Sequence, residues 1–243
     1  MRAIITGSLL ALRESVWLLF CFFIVTALGL SALVSLLPQL RPLLDTNLGG
    51  LILNSSVYLI ALVVTTIPLW LPRNRSRAAE LLGINKLPKL SIVWQPLVMW
   101  AFYMVATTAA AILVSIFVPW IDGDQEQNVG FENLRFGYEY VVAFIALVVL
   151  PPIAEELLFR GYLYGRLRKS LGFVGTSLVV SVIFGLVHMQ WNVAIDTFVL
   201  SLFLCYLRER TGSIWASMVL HAIKNGVAYF ILFIAPLLGM QLV

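Results

Sequence analysis

The sequence predicts an all-α, polytopic bundle of transmembrane helices, and three observations lead there. Of 243 residues, 61% are apolar and only 12% are Asp, Glu, Lys or Arg. A soluble domain is about half apolar and a quarter charged, so this chain has too little polar surface to cover a soluble globule. Its apolar residues gather into long runs, and its basic residues gather between them. A soluble enzyme, a nucleic-acid-binding domain and a disordered chain are excluded on these grounds. The net charge of +4 then reports loops held in the cytoplasm rather than a polyanionic partner.

The runs can be taken in order. A bilayer core needs about 20 apolar residues per helix. Val16–Leu37, Leu48–Leu71 and Leu97–Val118 qualify, and a fourth run starts near Tyr140 and meets charge at Glu155. Phe173–Met189, Val193–Leu207 and Ile214–Leu238 complete seven spans, or eight if the last breaks after Gly226. The first run reads as a retained span, being too long for a signal peptide and lacking a small-residue cleavage site. Cys21 and Cys205 both sit in apolar runs, with neither disulfide nor metal-ligand spacing.

The connecting loops predict orientation. Segment 72–92 carries Arg73, Arg75, Arg77, Lys86 and Lys89 against Glu80 alone, and 160–170 carries Arg160, Arg166, Arg168 and Lys169 with no acid. Arg208 and Arg210 follow Leu207. Segment 120–139 is acidic instead, with Asp122, Asp124, Glu126, Glu132 and Glu139 against Arg135. Seven spans with a cytoplasmic N-terminus put every basic loop inside and the acidic loop outside. The chain is thus expected to be an integral, multi-pass protein of the plasma or inner membrane. The first three spans carry no Asp, Glu, Lys, Arg or His. Residues 1–139 read as a three-span scaffold and 140–243 as a functional core of four helices.

Ionisable groups inside a bilayer are costly and by default mark function. Pro151-Pro152 favours a new helix or a kink. Glu156 and Arg160 are then i and i+4 on one face, in the favourable order for an ion pair. Glu155 lies about 100° round, outside that pair, free to be desolvated and to act as a base. A helix end snorkelling at the interface accounts for these charges equally well. In Phe184-Gly185-Leu186-Val187-His188, Phe184 and His188 share a face, and Gly185 permits close helix approach. His188 alone more often means a packed, hydrogen-bonded histidine. His221 and Asn225 are again i and i+4, so two donors face one point. Taken alone, a hydrogen-bonded pair joining two helices is the better account. The combination is harder to dismiss. Both histidines and both membrane glutamates fall in one half of the chain, and they supply a base and an oxyanion hole for acyl transfer to water. No serine or cysteine is placed as an obvious nucleophile.

At these residues the sequence resembles the CPBP family, the CAAX-protease and bacteriocin-processing intramembrane glutamic peptidases. The family pattern is Glu-Glu-x-x-x-Arg, Phe-x-x-x-His and His-x-x-x-Asn, matched here by Glu155, Glu156 and Arg160, by Phe184 and His188, and by His221 and Asn225. The flanks Leu157–Leu163 and Arg210–Trp215 match too. The resemblance covers roughly 140–230, with no motif residue missing. It implies that Glu155 activates water, that His188 assists it, and that His221 and Asn225 form the oxyanion hole. Glu156, Arg160 and Phe184 would support the site. No cofactor and no metal are implied, and no nucleic acid. The partners would be a peptide or protein substrate and the lipid bilayer.

One tension follows from helix rise. Glu155 and His221 come out roughly 10 Å inside the cytoplasmic face, and His188 nearer 20 Å. The helix from Phe173 is therefore expected to begin in the cytoplasm or to tilt. Asp196 and Lys224 are left over and are expected to pair structurally, with Asp196 touching substrate as the less favoured reading. Three other functions compete with an endopeptidase. A metalloprotease could use Glu155, His188 and His221 as zinc ligands. A non-proteolytic scaffold or regulator would use the polar cluster as packing glue. A proton-coupled transporter predicts inverted repeats, and none is present in the sequence.

Overall fold

The structure is a computed structural model. It describes residues 2–40, 42, 46–67, 75–86, 91–120, 131, 134 and 137–240. Arg73, Lys89 and the acidic-loop residues Asp122, Asp124, Glu126, Glu132 and Arg135 lie outside the described residues, as does the end of the second expected span.

Among the described residues there are helices and no strands. The first run is α1 (Arg2–Leu19), a π turn (Phe20–Val25) and α2 (Thr26–Leu36). α3 (Asn47–Thr66) starts at Thr46, whose hydroxyl accepts from the Gly49 amide at 3.0 Å. That satisfies one of the orphan donors of the first turn. α4 (Arg75–Leu82) is short and polar, and α5 (Ser91–Phe117) is long and apolar. α6 (Gly137–Phe144), α7 (Leu150–Glu156) and α8 (Tyr164–Leu186) form one run, joined by π turns at Ile145–Val149 and Leu157–Leu163. α9 (Trp191–Thr211) and α10 (Trp215–Tyr229) close the chain, the latter continuing into a π turn at Phe230–Ile234.

Among the described residues, four helical runs are long and apolar enough to cross a membrane: Trp94–Phe117, Gly137–Leu186, Trp191–Thr211 and Trp215–Ile234. The second, of 50 residues, holds two of the expected spans, divided by non-helical backbone before Phe173. It bends at Gly172, which has φ 68° and ψ −177°. The expected spans at Val16 and Leu48 fall on α1–α2 and α3, outside these four. α5 turns Trp94, Phe102, Val105, Leu113, Ile116 and Phe117 outward. A soluble protein would not expose such a surface, but lipid tails would cover it.

The prolines explain the break at α7. Pro151 and Pro152 carry no amide hydrogen, so Leu147 loses both its α-helical (i+4) and its π (i+5) partner. The π turn ends where α7 begins, with the prolines in its first turn. The packed core around α7 and α8 contains Leu158, Phe159, Leu163, Leu167, Val180 and Phe184, joined by Leu18 of α1 and Leu82 of α4. A second core joins Tyr103 of α5 to Leu200, Leu204 and Leu207 of α9 and Leu220 of α10.

Candidate active site

The two glutamates lie in the last turn of α7, one facing α10 and the other α3 and α10. Glu156 is fully buried, and so is Arg160. Arg160 Nη1 donates to Glu156 Oε1 at 2.9 Å. The rest of the guanidinium lies over Phe184, with Cζ 4.3 Å from the ring centroid. An aromatic face is a favourable bed for a desolvated cation. The same Glu156 Oε1 is 3.0 Å from His221 Nδ1. A carboxylate oxygen accepts, so Nδ1 carries the proton and donates. This second partner of Glu156 is not evident from the i,i+4 spacing alone.

Glu155 has different surroundings. Its Oε2 lies 3.8 Å from His221 Nε2. Its Oε1 accepts from the Tyr58 hydroxyl at 2.8 Å. His221 therefore stands between the two carboxylates, with one ring nitrogen toward each. Tyr58 belongs to α3, and sequence reasoning missed it. Its signal was a polar interruption, Asn54-Ser55-Ser56-x-Tyr58, in an otherwise apolar run. Ser55 and Ser56 turn back onto the carbonyls of Leu51 and Ile52, and Tyr58 reaches outward from its helix.

Phe184 is the hub of the cluster. Its ring meets Phe159, His188 and His221 edge-on, at centroid distances of 4.9, 5.1 and 5.8 Å. His188 Nδ1 is 2.7 Å from the Phe184 carbonyl. A carbonyl only accepts, so Nδ1 holds the hydrogen and a neutral His188 presents its lone pair at Nε2. His188 lies within Coulombic range of Glu155, Lys224 and His221. The helix that carries it leaves the preceding segment at Gly172, and this bend lets Phe184 reach Arg160. Gly185 behaves as its spacing predicts, since a Cβ there would stand 2.7 Å from the Ala194 carbonyl of α9.

Asn225 is half-buried. Its amide donates to the Leu147 carbonyl at 2.9 Å, the carbonyl that the two prolines leave free. One of its two N–H groups is thus spent on the backbone. The leftover charges pair with each other. Lys224 Nζ is 3.5 Å from Asp196 Oδ2, while Oδ1 accepts from Tyr103 at 2.5 Å and from Thr107 at 2.7 Å. Among the described residues, no three His, Cys, Asp or Glu side chains are grouped to hold a metal.

Residues 137–227 match the family model described as "Type II CAAX prenyl endopeptidase Rce1-like". This segment is similar to that family of membrane peptidases over the matched residues. The matched segment runs from the start of α6 into α10, and it contains every motif residue named above. Over 77 residues the chain is 31% identical to a Bacillus subtilis (strain 168) protein named "Putative membrane peptidase YdiL". The aligned stretch is 32% of this chain and 32% of that protein, so the likeness spans about a third of the relative. No solved structure matches. With four apolar helical runs, three of them in or overlapping the matched segment, the chain is an integral membrane protein.

Proposed function

We propose that the chain is an intramembrane endopeptidase that hydrolyses a peptide bond with water activated at Glu155. The observation that carries this reading is the separation of two adjacent carboxylates around one histidine. Glu156 is occupied by Arg160 and His221, whereas Glu155 accepts from a neutral phenol at Oε1 and has His221 Nε2 3.8 Å from Oε2, beyond hydrogen-bond distance. Glu155 Oε2 is then the oxygen that takes the proton of the attacking water. His188 Nε2 is the second acceptor for that water, with its tautomer set by Phe184. The hydroxide adds to the peptide carbonyl, and the negative charge moves to oxygen. In its imidazolium form His221 donates one N–H to Glu156 and offers the other to that oxyanion. The second N–H of Asn225 completes the hole. Collapse returns the proton from Glu155 to the leaving amine. No cofactor is needed for this sequence.

The substrate is a peptide or protein segment that enters from the membrane or the cytoplasm. In this reading the chain has seven spans with a cytoplasmic N-terminus, and α1–α3 and α5 form the scaffold around the four-helix core. Glu155→Gln keeps the size and the Tyr58 contact but removes the base, and the expected loss of cleavage is at least about 10²-fold. Comparing membrane peptidomes with wild-type and Glu155→Gln protein checks this. Products that persist in the variant would sink the glutamate mechanism and favour a non-proteolytic scaffold.

A further inference from the structure

Away from the motif residues, α4 leans on the ends of α8 and α9 and encloses a polar cleft of about 230 Å³. Three glycines let it approach. A Cβ on Gly165 would stand 2.5 Å from the Leu81 carbonyl, and one on Gly161 would stand 3.2 Å from the Leu82 carbonyl. Gly83, at φ 70°, packs so closely on Arg208 that a Cβ would meet its Cζ at 2.5 Å. The cleft is therefore made by backbone contact and not by loose packing.

Its walls carry four cations, Arg77, Arg168, Lys169 and Arg208, against two carboxylates, Glu80 and Glu209. The two carboxylates do not neutralise all four. Glu209 is taken by Arg168, at 2.6 and 2.9 Å, and by the Tyr164 hydroxyl at 2.5 Å. Arg208 is buried and donates to two neutral carbonyls, those of Arg160 at 3.2 Å and Leu81 at 3.0 Å. Arg77 and Lys169 are exposed, with no hydrogen bond or ion pair among the described residues. Lys86 adds a further ammonium at the rim, where a Cβ on Gly212 would stand 2.8 Å from its Nζ. The cleft is thus a concave cationic cradle with an excess of two positive charges, four against two, before Lys86 is counted.

Position identifies the ligand chemistry. Arg208 lies in the last turn of the apolar run Trp191–Thr211, where a membrane-crossing helix meets the headgroups. Guanidinium and ammonium donors around a small cleft suit phosphate oxygens, and basic pockets between membrane helices hold anionic headgroups. We infer that the cleft between α4, α8 and α9 binds a phosphate oxyanion, supplied by the headgroup of an anionic phospholipid or by free phosphate. It is separate from the proposed active site and does not depend on that reading.

The test uses the purified full chain in neutral detergent with three probes: dihexanoyl phosphatidylglycerol, dihexanoyl phosphatidylcholine and inorganic phosphate. Binding is read by native mass spectrometry and by the shift in melting temperature. Phosphatidylglycerol should bind and stabilise, whereas phosphatidylcholine should not. The double variant Arg77→Ala/Lys169→Ala should weaken phosphatidylglycerol binding about tenfold or more, and Arg77→Lys/Lys169→Arg should retain it. Both side chains are exposed and make no hydrogen bond or ion pair among the described residues, so either variant should elute as the wild type does. Inorganic phosphate that binds as tightly as phosphatidylglycerol identifies free phosphate as the ligand, and its failure to bind identifies the lipid. Equal binding of phosphatidylcholine and phosphatidylglycerol, or no change in the alanine variant, overturns the proposal.

Discussion

At Glu155, a phenol from one half of the chain and an imidazole from the other meet one carboxylate. Removing the phenol isolates its effect. Tyr58→Phe should lower kcat by about tenfold with little change in KM, because a hydrogen bond to a charged group contributes roughly 1.5–3 kcal/mol. Equal kinetics in the two proteins would show that Tyr58 does not position Glu155. Arg160 makes a different prediction. Arg160→Ala leaves Glu156 buried without its cation, a change that costs about 3–5 kcal/mol. A drop in melting temperature in detergent should accompany any loss of activity. The motif residues were legible because ionisable groups in apolar runs have few explanations. Tyr58 was not, because a tyrosine in a membrane run is ordinary by type, and only the packing of α3 on α7 gives it a partner.

At the scale of elements, the π turn before Pro151 was not legible, yet its cause was. Two prolines in a row remove two amides, and the carbonyl they abandon is the one that Asn225 takes. The break expected near Pro151 is therefore also what positions an active-site candidate from another helix. The i,i+4 logic foresaw the Glu156–Arg160 pair but could not see His221 joining it across 65 residues. α4 carries another prediction. Gly165→Ala forces a Cβ against the Leu81 carbonyl and should lower the melting temperature, whereas Gly29→Ala, with nothing within 4 Å, should leave it unchanged or raise it. Equal effects at the two positions would mean that α4 is not docked through Gly165. α1 is held through Glu14, whose carboxylate accepts from Tyr162 at 2.6 Å and Arg166 at 3.0 Å. Burial pushes the Glu14 carboxyl up, but the hydrogen bonds from Arg166, Tyr162 and Arg13 outweigh it and leave the group below its ordinary value. A depressed carboxyl contributes stability above its unfolded value, near pH 4.3, and loses it as pH falls through the folded value. Melting temperatures between about pH 6 and pH 3 should therefore fall more steeply for wild type than for Glu14→Gln.

For the whole molecule, composition alone made the all-helical class and the membrane setting legible, since 61% apolar residues leave few alternatives. The span count was harder to read. Hydropathy treats Tyr140 and Phe173 as starts of separate spans, and the helix does break between them, at Gly172. Hydropathy has no sense of the backbone angle at Gly172. Reporter fusions at the N-terminus and in the loop after Leu207 should both read as cytoplasmic if the proposed seven-span topology holds, and opposite readings would overturn it.

Gly172 also separates two ways in which a glycine can be indispensable. It has open space around it, and a Cβ there would meet nothing within 4 Å, yet its φ of 68° and ψ of −177° lie where L residues are strained. Its intolerance should be indifferent to size: alanine, serine and leucine at 172 should damage the protein to the same degree. At Gly165 the damage should instead grow with every atom added. A saturation library read for folded protein would show a flat profile at one position and a graded one at the other. The shape of each profile would tell backbone geometry from lack of room.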